Sequence, residues 1–289
     1  MVAPSMPLEL DKQAVRRSFD SAAATYDQHA VIQREVANRL LERLDWMRLA
    51  PTTVLDLGAG TGFCARALER RYAQARILLV DLAPAMLLEA RRQRRWRSAQ
   101  RYVCADASAL PFGDASVDVV VSSLTFQWCE DLEAAFRECR RVLRPGGLLL
   151  FSSLGPATLH ELRAAYSTID ERPHVNRFKD MHEVGDTLIR AGFASPVLER
   201  EDLVATYAEV TDLMRDLKGI GARNSLNARP RTLGGRRALT QLRAAYEPYR
   251  RDGVLPATYE LVFGHGWAVA NARAQDGSTV FPLNRLTRR

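Results

Sequence analysis

Val54-Leu55-Asp56-Leu57-Gly58-Ala59-Gly60-Thr61-Gly62 is the stretch on which the fold turns. It reads as a buried strand that runs into a glycine-rich turn before a helix. Glycines in such a turn permit positive φ and let the backbone pass close to a ligand where a Cβ would clash. Downstream, short apolar runs recur at 77–80, 102–104, 117–121 and 148–151, separated by helical stretches such as 84–97 and 131–143. Buried runs alternating with helices predict a parallel sheet covered on both faces.

Upstream, residues 11–49 carry Val31, Val36, Leu40, Leu41 and Leu44 at helical spacing, interrupted around Thr25-Tyr26-Asp27 and ended by Pro51. After Gly155 the rhythm loosens: helical stretches at 157–169 and 181–191, an apolar run at 197–206, helices at 209–220 and 234–250, and a strand from 259 to 269. The expectation is an α/β, Rossmann-like sheet of seven mostly parallel strands with helices on both faces. An N-terminal helical lid would occupy 1–50, and the main domain 51–289, with helical insertions after strands five and six within 155–250. The sequence shows no internal repeat and no low-complexity tract.

Asp81 follows Gly62 by nineteen residues and ends the second apolar run. An acidic side chain there can accept the ribose hydroxyls of an adenosine. The glycine loop, however, reads D-L-G-x-G-T-G rather than G-x-G-x-x-G, and so resembles the methyltransferase version of the turn. S-adenosylmethionine has no pyrophosphate, and Asp56 is favourable beside a sulfonium and an ammonium where beside phosphate it would repel. At the third strand end, Asp106-Ala107 can receive the adenine amino group. Ligands of open α/β sheets bind beyond the carboxyl ends of the strands. The expected cofactor contacts are therefore Asp56, Gly58, Ala59, Gly60, Gly62, Asp81, Leu82, Met86, Asp106, Ala107, Ser123 and Leu124, with S-adenosylhomocysteine as product.

The totals exclude other classes. Of 289 residues, 47% are hydrophobic and 26% charged, the proportions of a globular chain. No apolar run approaches the ~18 residues of a spanning helix, and Glu9 and Asp11 precede any apolar run that could make a signal peptide. A cytoplasmic protein that does not engage membranes is expected. Cys64, Cys104, Cys129 and Cys139 form no C-x-x-C pair, so neither structural zinc nor a disulfide framework is expected, and no other metal. The net charge of +7 invites a nucleic-acid partner, but the cations are arginines apart from Lys12, Lys179 and Lys218, a skew of composition rather than a phosphate footprint. No nucleic-acid partner is expected.

The segment after the fourth strand narrows the chemistry. Amino-methylating nucleic-acid enzymes carry Asn/Asp-Pro-Pro-aromatic there, whereas this chain has Ser122-Ser123-Leu124-Thr125-Phe126-Gln127-Trp128. Cytosine-carbon methylation needs a cysteine after proline, but Cys129 follows Trp128. Over almost its whole length the chain resembles the malonyl-acyl-carrier-protein O-methyltransferases of biotin synthesis. The resemblance is carried by Phe19-Asp20-Ser21-Ala22-Ala23 with Tyr26-Asp27, the glycine loop, Leu124 to Cys129, and Arg141-Val142-Leu143-Arg144-Pro145-Gly146-Gly147. It continues through His174-Val175-Asn176-Arg177-Phe178, Leu217-Lys218-Gly219-Ile220-Gly221-Ala222 and Tyr259 to Trp267. The glycine loop and the Arg141–Gly147 turn are common to many methyltransferases; His174–Phe178 and Lys218–Ala222 are more telling. Ala59 stands where relatives often carry cysteine, and its small side chain meets the same steric need.

The resemblance implies a class I methyltransferase fold and methyl transfer to the free carboxylate of a malonyl thioester, on acyl carrier protein or coenzyme A. It implies Tyr26, Gln127, Trp128, His174, Asn176 and Arg177 as orienting residues. Tyr26 would belong to the lid, and Gln127 and Trp128 would lie beside the methyl. Arg177 would meet either the acceptor carboxylate or the carrier's phosphopantetheine, and His174 either the acceptor or local backbone. Two rivals share the cofactor motifs: a phenol or quinone-precursor methyltransferase, and a cofactor-binding assembly factor without methyl transfer. For an acidic carrier, Arg163, Arg172, Arg177, Lys179, Lys218 and Arg223 lie on insertions near the expected crevice mouth. Arg91, Arg92, Arg94, Arg95 and Arg97 end a helix that runs away from it, as do Arg140, Arg141 and Arg144.

Overall fold

The computed structural model describes residues 10–222 and 236–269. Seven strands form one sheet in the order β3-β2-β1-β4-β5-β7-β6. They are β1 (Thr53–Leu57), β2 (Arg76–Asp81), β3 (Arg101–Cys104), β4 (Val117–Ser123), β5 (Leu143–Leu154), β6 (Phe193–Tyr207) and β7 (Leu255–Ala268). β1 to β5 are parallel, and β7 runs antiparallel to both β5 and β6. The chain order reverses between β1 and β4, which places a ligand crevice beyond the carboxyl ends of those strands.

Strand side chains alternate between the two faces. Val54, Ile77, Leu79, Val119, Val121, Leu148 and Leu150 pack with α3 (Val31–Glu42) and α4 (Phe63–Arg71) in one core. Leu55, Leu57, Val80, Val120, Leu149 and Phe151 pack with α6 (Leu132–Val142) and α8 (Met181–Arg190) in the other. The second core holds Phe126, Phe136 and Phe151 with ring centroids 4.8 to 5.4 Å apart. Burial of each such ring contributes ~1.5–3 kcal/mol. Asp56 shares the face of Val54 and so points into the helical layer.

The N-terminal stretch forms α1 (Lys12–Ala22), α2 (Tyr26–His29) and α3, with Asp11 capping α1 through the N–H of Ala14 at 2.9 Å. α5 (Pro84–Arg92) follows β2. After β5 come α7 (His160–Ser167) and α8, and after β6 come α9 (Val210–Gly219) and α10 (Arg236–Tyr246). These are the insertions expected after strands five and six.

Some boundaries differ from the expectation, and the helix read at 84–97 ends at Arg92, so Arg94, Arg95 and Arg97 lie beyond it. The stretch 144–147, read as a turn, bulges within β5, whose pairing shifts register opposite Val117 and Val119. It is held by Arg144, which donates to Asp118 at 2.6 Å, while the N–H groups of Thr52 and Thr53 bond the same carboxylate. β6 is longer than its apolar run because it lies at the sheet edge, where one face stays wet and the hydrophobic signal fades, and β7, buried between β5 and β6, pairs along it from Leu255 to Ala268.

Candidate functional site

The glycine loop folds back onto β2: the N–H groups of Gly58 and Ala59 both donate to Val80 O, at 2.7 and 2.9 Å. Gly58 has φ +72°, and a Cβ there would stand 1.9 Å from the Thr125 hydroxyl, so no side chain fits. Gly60 differs. Its φ is +52°, and a Cβ built on it meets nothing within 4 Å, because it would project into the cleft.

That cleft spans about 830 Å³, the open solvent at its mouth included. Its floor is the row of strand ends: Leu57 and Gly58 after β1, Val80 to Leu82 after β2, Ala105 to Ser108 after β3, and Ser123 to Thr125 after β4. Met86 of α5 closes one side together with Phe19 and Tyr26, which pack against it, and Lys12 and Val15 of α1 also line the cleft. Leu124 holds φ +52°, a backbone cost of roughly 1–2 kcal/mol for a non-glycine residue. Two hydrogen bonds at 3.1 Å, from its N–H to Ser152 O and to the Ser152 hydroxyl, keep it there.

Asp81 accepts from Gly60 N–H and from Ala83 N–H, each at 2.8 Å, so its carboxylate is aimed by the loop it serves. Burial pushes it up to about 6, against those same N–H groups, which favour the ionised form. Each oxygen keeps a free lone pair for a ligand hydroxyl. Asp106 accepts from the N–H and hydroxyl of Ser108 on Oδ1, and Lys12 Nζ lies 2.7 Å from Oδ2. Burial alone would raise it, but Lys12 and Ser108 together hold this carboxyl below its usual range.

Asp56 stands behind the loop rather than in the cleft lining. It is 1% exposed, its Oδ2 has no hydrogen-bond partner, and burial pushes it up to about 7 against the N–H of Ala65. Ala59 and Gly62 likewise shape the turn without lining the cleft; Gly62 caps α4 at φ +79°. Gly58, Gly60, Leu82, Met86, Ala107, Ser123 and Leu124 do line it, with Asp81 and Asp106.

The orienting residues divide. Tyr26 and Trp128 reach the cleft. Burial beside Asp81 and Asp27 raises the Tyr26 phenol far above its ordinary value, which keeps it a neutral donor. Asp27 pins this segment by accepting from the hydroxyl of Thr61 at 2.7 Å and from Gln93 Nε2 at 2.6 Å. Trp128 meets Phe19 edge to face at 5.3 Å. The 3-10 turn Phe126–Trp128 points Gln127 away, and its Oε1 accepts from Ser153 at 3.5 Å.

His174 and Arg177 also stand outside the cleft lining. His174 stacks on Tyr166 at 3.8 Å and bonds Asp170 at 2.8 Å. Arg177 is exposed, whereas Asn176 is buried. Lys12, Phe19, Thr125 and Cys129 were missed as lining residues. Phe19 belongs to the Phe19–Ala23 motif; Lys12 has no local signal, since only the tertiary fold brings it to Asp106. Burial pushes the Cys129 thiol up to about 12, so it is no nucleophile at neutral pH.

Among the described residues no group of three His, Cys, Asp or Glu is placed to hold a metal ion. No described helix is long and apolar enough to cross a membrane.

The residues fit S-adenosylmethionine. The lining carries Asp81, Asp106, Glu130 and Asp131 against Lys12, an acidic balance suited to a cationic ligand with amine and hydroxyl donors.

A family model described as a methyltransferase domain matches residues 55–151. The chain is 49% identical to the malonyl-acyl-carrier protein O-methyltransferase of Halorhodospira halophila, covering 96% of this chain and 95% of that one. It is 52% identical to the protein of that name from a Methylovorus species, with 89% of each covered. Among solved structures, the complex of the Haloferax volcanii Trm112 methyltransferase activator with its methyltransferase matches with TM-score 0.59 at 21% identity, over 90% of this chain and 100% of that one. Haemonchus contortus phosphoethanolamine N-methyltransferase 2, in complex with S-adenosylmethionine, matches with TM-score 0.56 at 20% identity, over 87% of this chain and 57% of that one. These structures share the fold, that of the class I methyltransferases. The identity to the relatives extends on both sides of the matched domain, and the chain belongs to the malonyl-acyl-carrier protein O-methyltransferase family.

Proposed function

We propose that the protein transfers a methyl group from S-adenosylmethionine to the free carboxylate of a malonyl thioester, giving the methyl ester that primes the pimeloyl chain of biotin. The observation that carries this is the 49% identity over 96% of the chain, which reaches well beyond the matched domain at 55–151. When bound, S-adenosylmethionine supplies an electrophilic methyl on a sulfonium. The chain supplies the rest.

Asp81 takes the ribose hydroxyls and Asp106 the adenine amine, while Gly58 and Gly60 let the loop backbone approach. Tyr26, neutral at physiological pH, donates into the cleft. Phe19 and Trp128 exclude water from the acceptor's approach. A malonyl carboxylate, with a reference pKa near ~4, is already ionised, so no side chain has to remove a proton. Bringing an anion and a cation together in a dry cleft neutralises charge on the way to the transition state, and the fixed geometry removes the need to reorganise solvent. α1 and α2 act as the lid over the main domain.

We assign Arg177 to recruitment of the carrier rather than to the acceptor carboxylate. Arg172, Arg177 and Lys218 are exposed, and their side chains make no hydrogen bond or ion pair among the described residues. Arg163 is committed to the carbonyls of Pro156 and Thr158, and Lys179 to Glu183. Arg223 lies outside the described residues. His174, bound to Tyr166 and Asp170, clips the insertion together. Incubation with malonyl-carrier protein and methyl-labelled S-adenosylmethionine tests the function: label should appear in a base-labile ester on the malonyl group. Label entering only a phenol or quinone precursor, or none at all, would leave one of the two rival readings.

A further inference from the structure

Lys12 is the first residue of α1 and lies ninety-six positions before Ser108, yet its Nζ sits 2.7 Å from Asp106 Oδ2 and 3.4 Å from the Ser108 hydroxyl. It is the one cationic side chain among the described residues that line the cleft. The other ties of α1 belong to its second half. The Ser18 hydroxyl donates to Gly221 O at 2.8 Å, Asp20 accepts from Ala85 N–H at 3.0 Å, and Phe19 packs on Trp128. The first turn is held to the strand ends by Lys12 and by the buried Val15.

We propose that Lys12 is a positioning residue of the cofactor site: it ties the first turn of α1 to the carboxylate that receives the adenine amine, so that seating the adenine and closing the helix over it are one coupled event. The inference deepens the proposed function and rests on its reading of Asp106. Both partners are partly exposed, with 42% and 29% of their side-chain surfaces accessible. At that exposure an ion pair contributes little by itself. Covering Asp106 with an adenine changes the balance, because a carboxylate that loses water without a counter-ion is strongly disfavoured. Oδ1 already takes both bonds from Ser108, and Oδ2 carries Lys12 with a lone pair to spare. Lys12 can therefore stay bound while the amine arrives, and it neutralises the charge being buried.

The test is a double-mutant cycle read by calorimetric titration with S-adenosylhomocysteine, together with amide exchange across residues 12–18. Lys12→Met should weaken binding about tenfold, and Lys12→Arg should restore most of it. In an Asp106→Asn background, Lys12→Met should have almost no further effect. Bound S-adenosylhomocysteine should slow exchange in the first turn of α1 in the wild type but not in Lys12→Met. An equal loss from Lys12→Met in both backgrounds would mean that Lys12 only stabilises its helix, and the proposal would fall. Tighter binding by Lys12→Met would make Lys12 a competitor of the adenine, which also overturns it. Wild-type affinity in Asp106→Asn alone would instead remove the reading of Asp106 on which the proposal stands.

Discussion

The strand-end face of residues 53–131 and the insertions of 155–222 and 236–254 solve different problems by different means. The first is built from backbone: two loop N–H groups fold onto Val80 O, and two more aim the Asp81 carboxylate. Its charge is acidic and turned inward, toward a cleft. The second is built from side chains on helices and an edge strand. Arg43 bridges Glu199 and Glu201, Arg39 joins Glu201, and exposed cations stand at Arg172, Arg177 and Lys218. The difference teaches that recognition of the cofactor is set by the fold, whereas recognition of the acceptor's carrier is set by surface charge that many sequences could rearrange. Mutations in the first region should therefore act steeply on cofactor affinity, and those in the second mildly and with salt dependence.

The largest expected effect is at Gly60. Gly60→Ala clashes with nothing in the protein itself. It should cost only about 1–2 kcal/mol of stability from the left-handed backbone, yet lower affinity for S-adenosylhomocysteine on the order of a hundredfold by filling the cradle. Gly58→Ala should instead unfold or rearrange the loop, because its Cβ collides with Thr125. Thermal melts and titrations on both variants separate the two causes. Equal behaviour would mean that the loop is not shaped around a ligand.

Next comes Asp81→Ala, which removes a charged acceptor. The expected loss is roughly 1.5–3 kcal/mol, or one to two decades of affinity. With Asp81 at about 6, affinity in the wild type should also fall as pH drops through that value, since the protonated carboxyl is the weaker acceptor for two hydroxyls. Titrations above and below that pH check it; a flat profile would move the ribose elsewhere.

Asp56 sharpens the comparison through stability. Its folded pKa, about 7, lies above the ordinary carboxyl value, so its favourable contribution is complete at low pH and is lost as pH rises through about 7. Asp56→Asn should therefore stabilise the chain more at high pH than at low, by ~2 kcal/mol between about pH 5 and pH 8. Denaturant melts at the two pH values read this directly. A gain independent of pH would show that the carboxylate ionises freely in the fold.

How much of this was legible in the sequence follows the same division. The glycine loop, Asp81 and Asp106 could be read because each sits within a few residues of a strand end, and strand ends are marked by where apolar runs stop. Asp56 was placed correctly along the chain but expected at the ligand. The alternation that puts Val54 in the core beneath α3 and α4 puts Asp56 on the same face. The distances from Lys12 to Asp106 and from Phe19 to Trp128 had no local trace, since both depend on how α1 lies across the sheet. His174 and Arg177 were visible as a motif but not as a place. Loop packing after β5, which no periodicity encodes, turns one into a clip on Tyr166 and leaves the other exposed.

The smallest expected effect lies in the second region. Charge reversal at Arg172 or Lys218 should lower activity on the carrier thioester by a few-fold, more at low salt than at high, with little change on the coenzyme A thioester. Reversal of Arg94 and Arg95, beyond the end of α5, should do less. A larger and selective loss from that pair would move the docking face to the other edge of the sheet.

The most direct test of the account is the rate of a single turnover on malonyl-carrier protein with cofactor saturating, followed across pH. A carboxylate acceptor that needs no base predicts a flat profile from about pH 6 to 8. A limb that rises tenfold per pH unit within that range would mean that a titrating group takes a proton from the acceptor, and the carboxylate chemistry proposed here would be wrong.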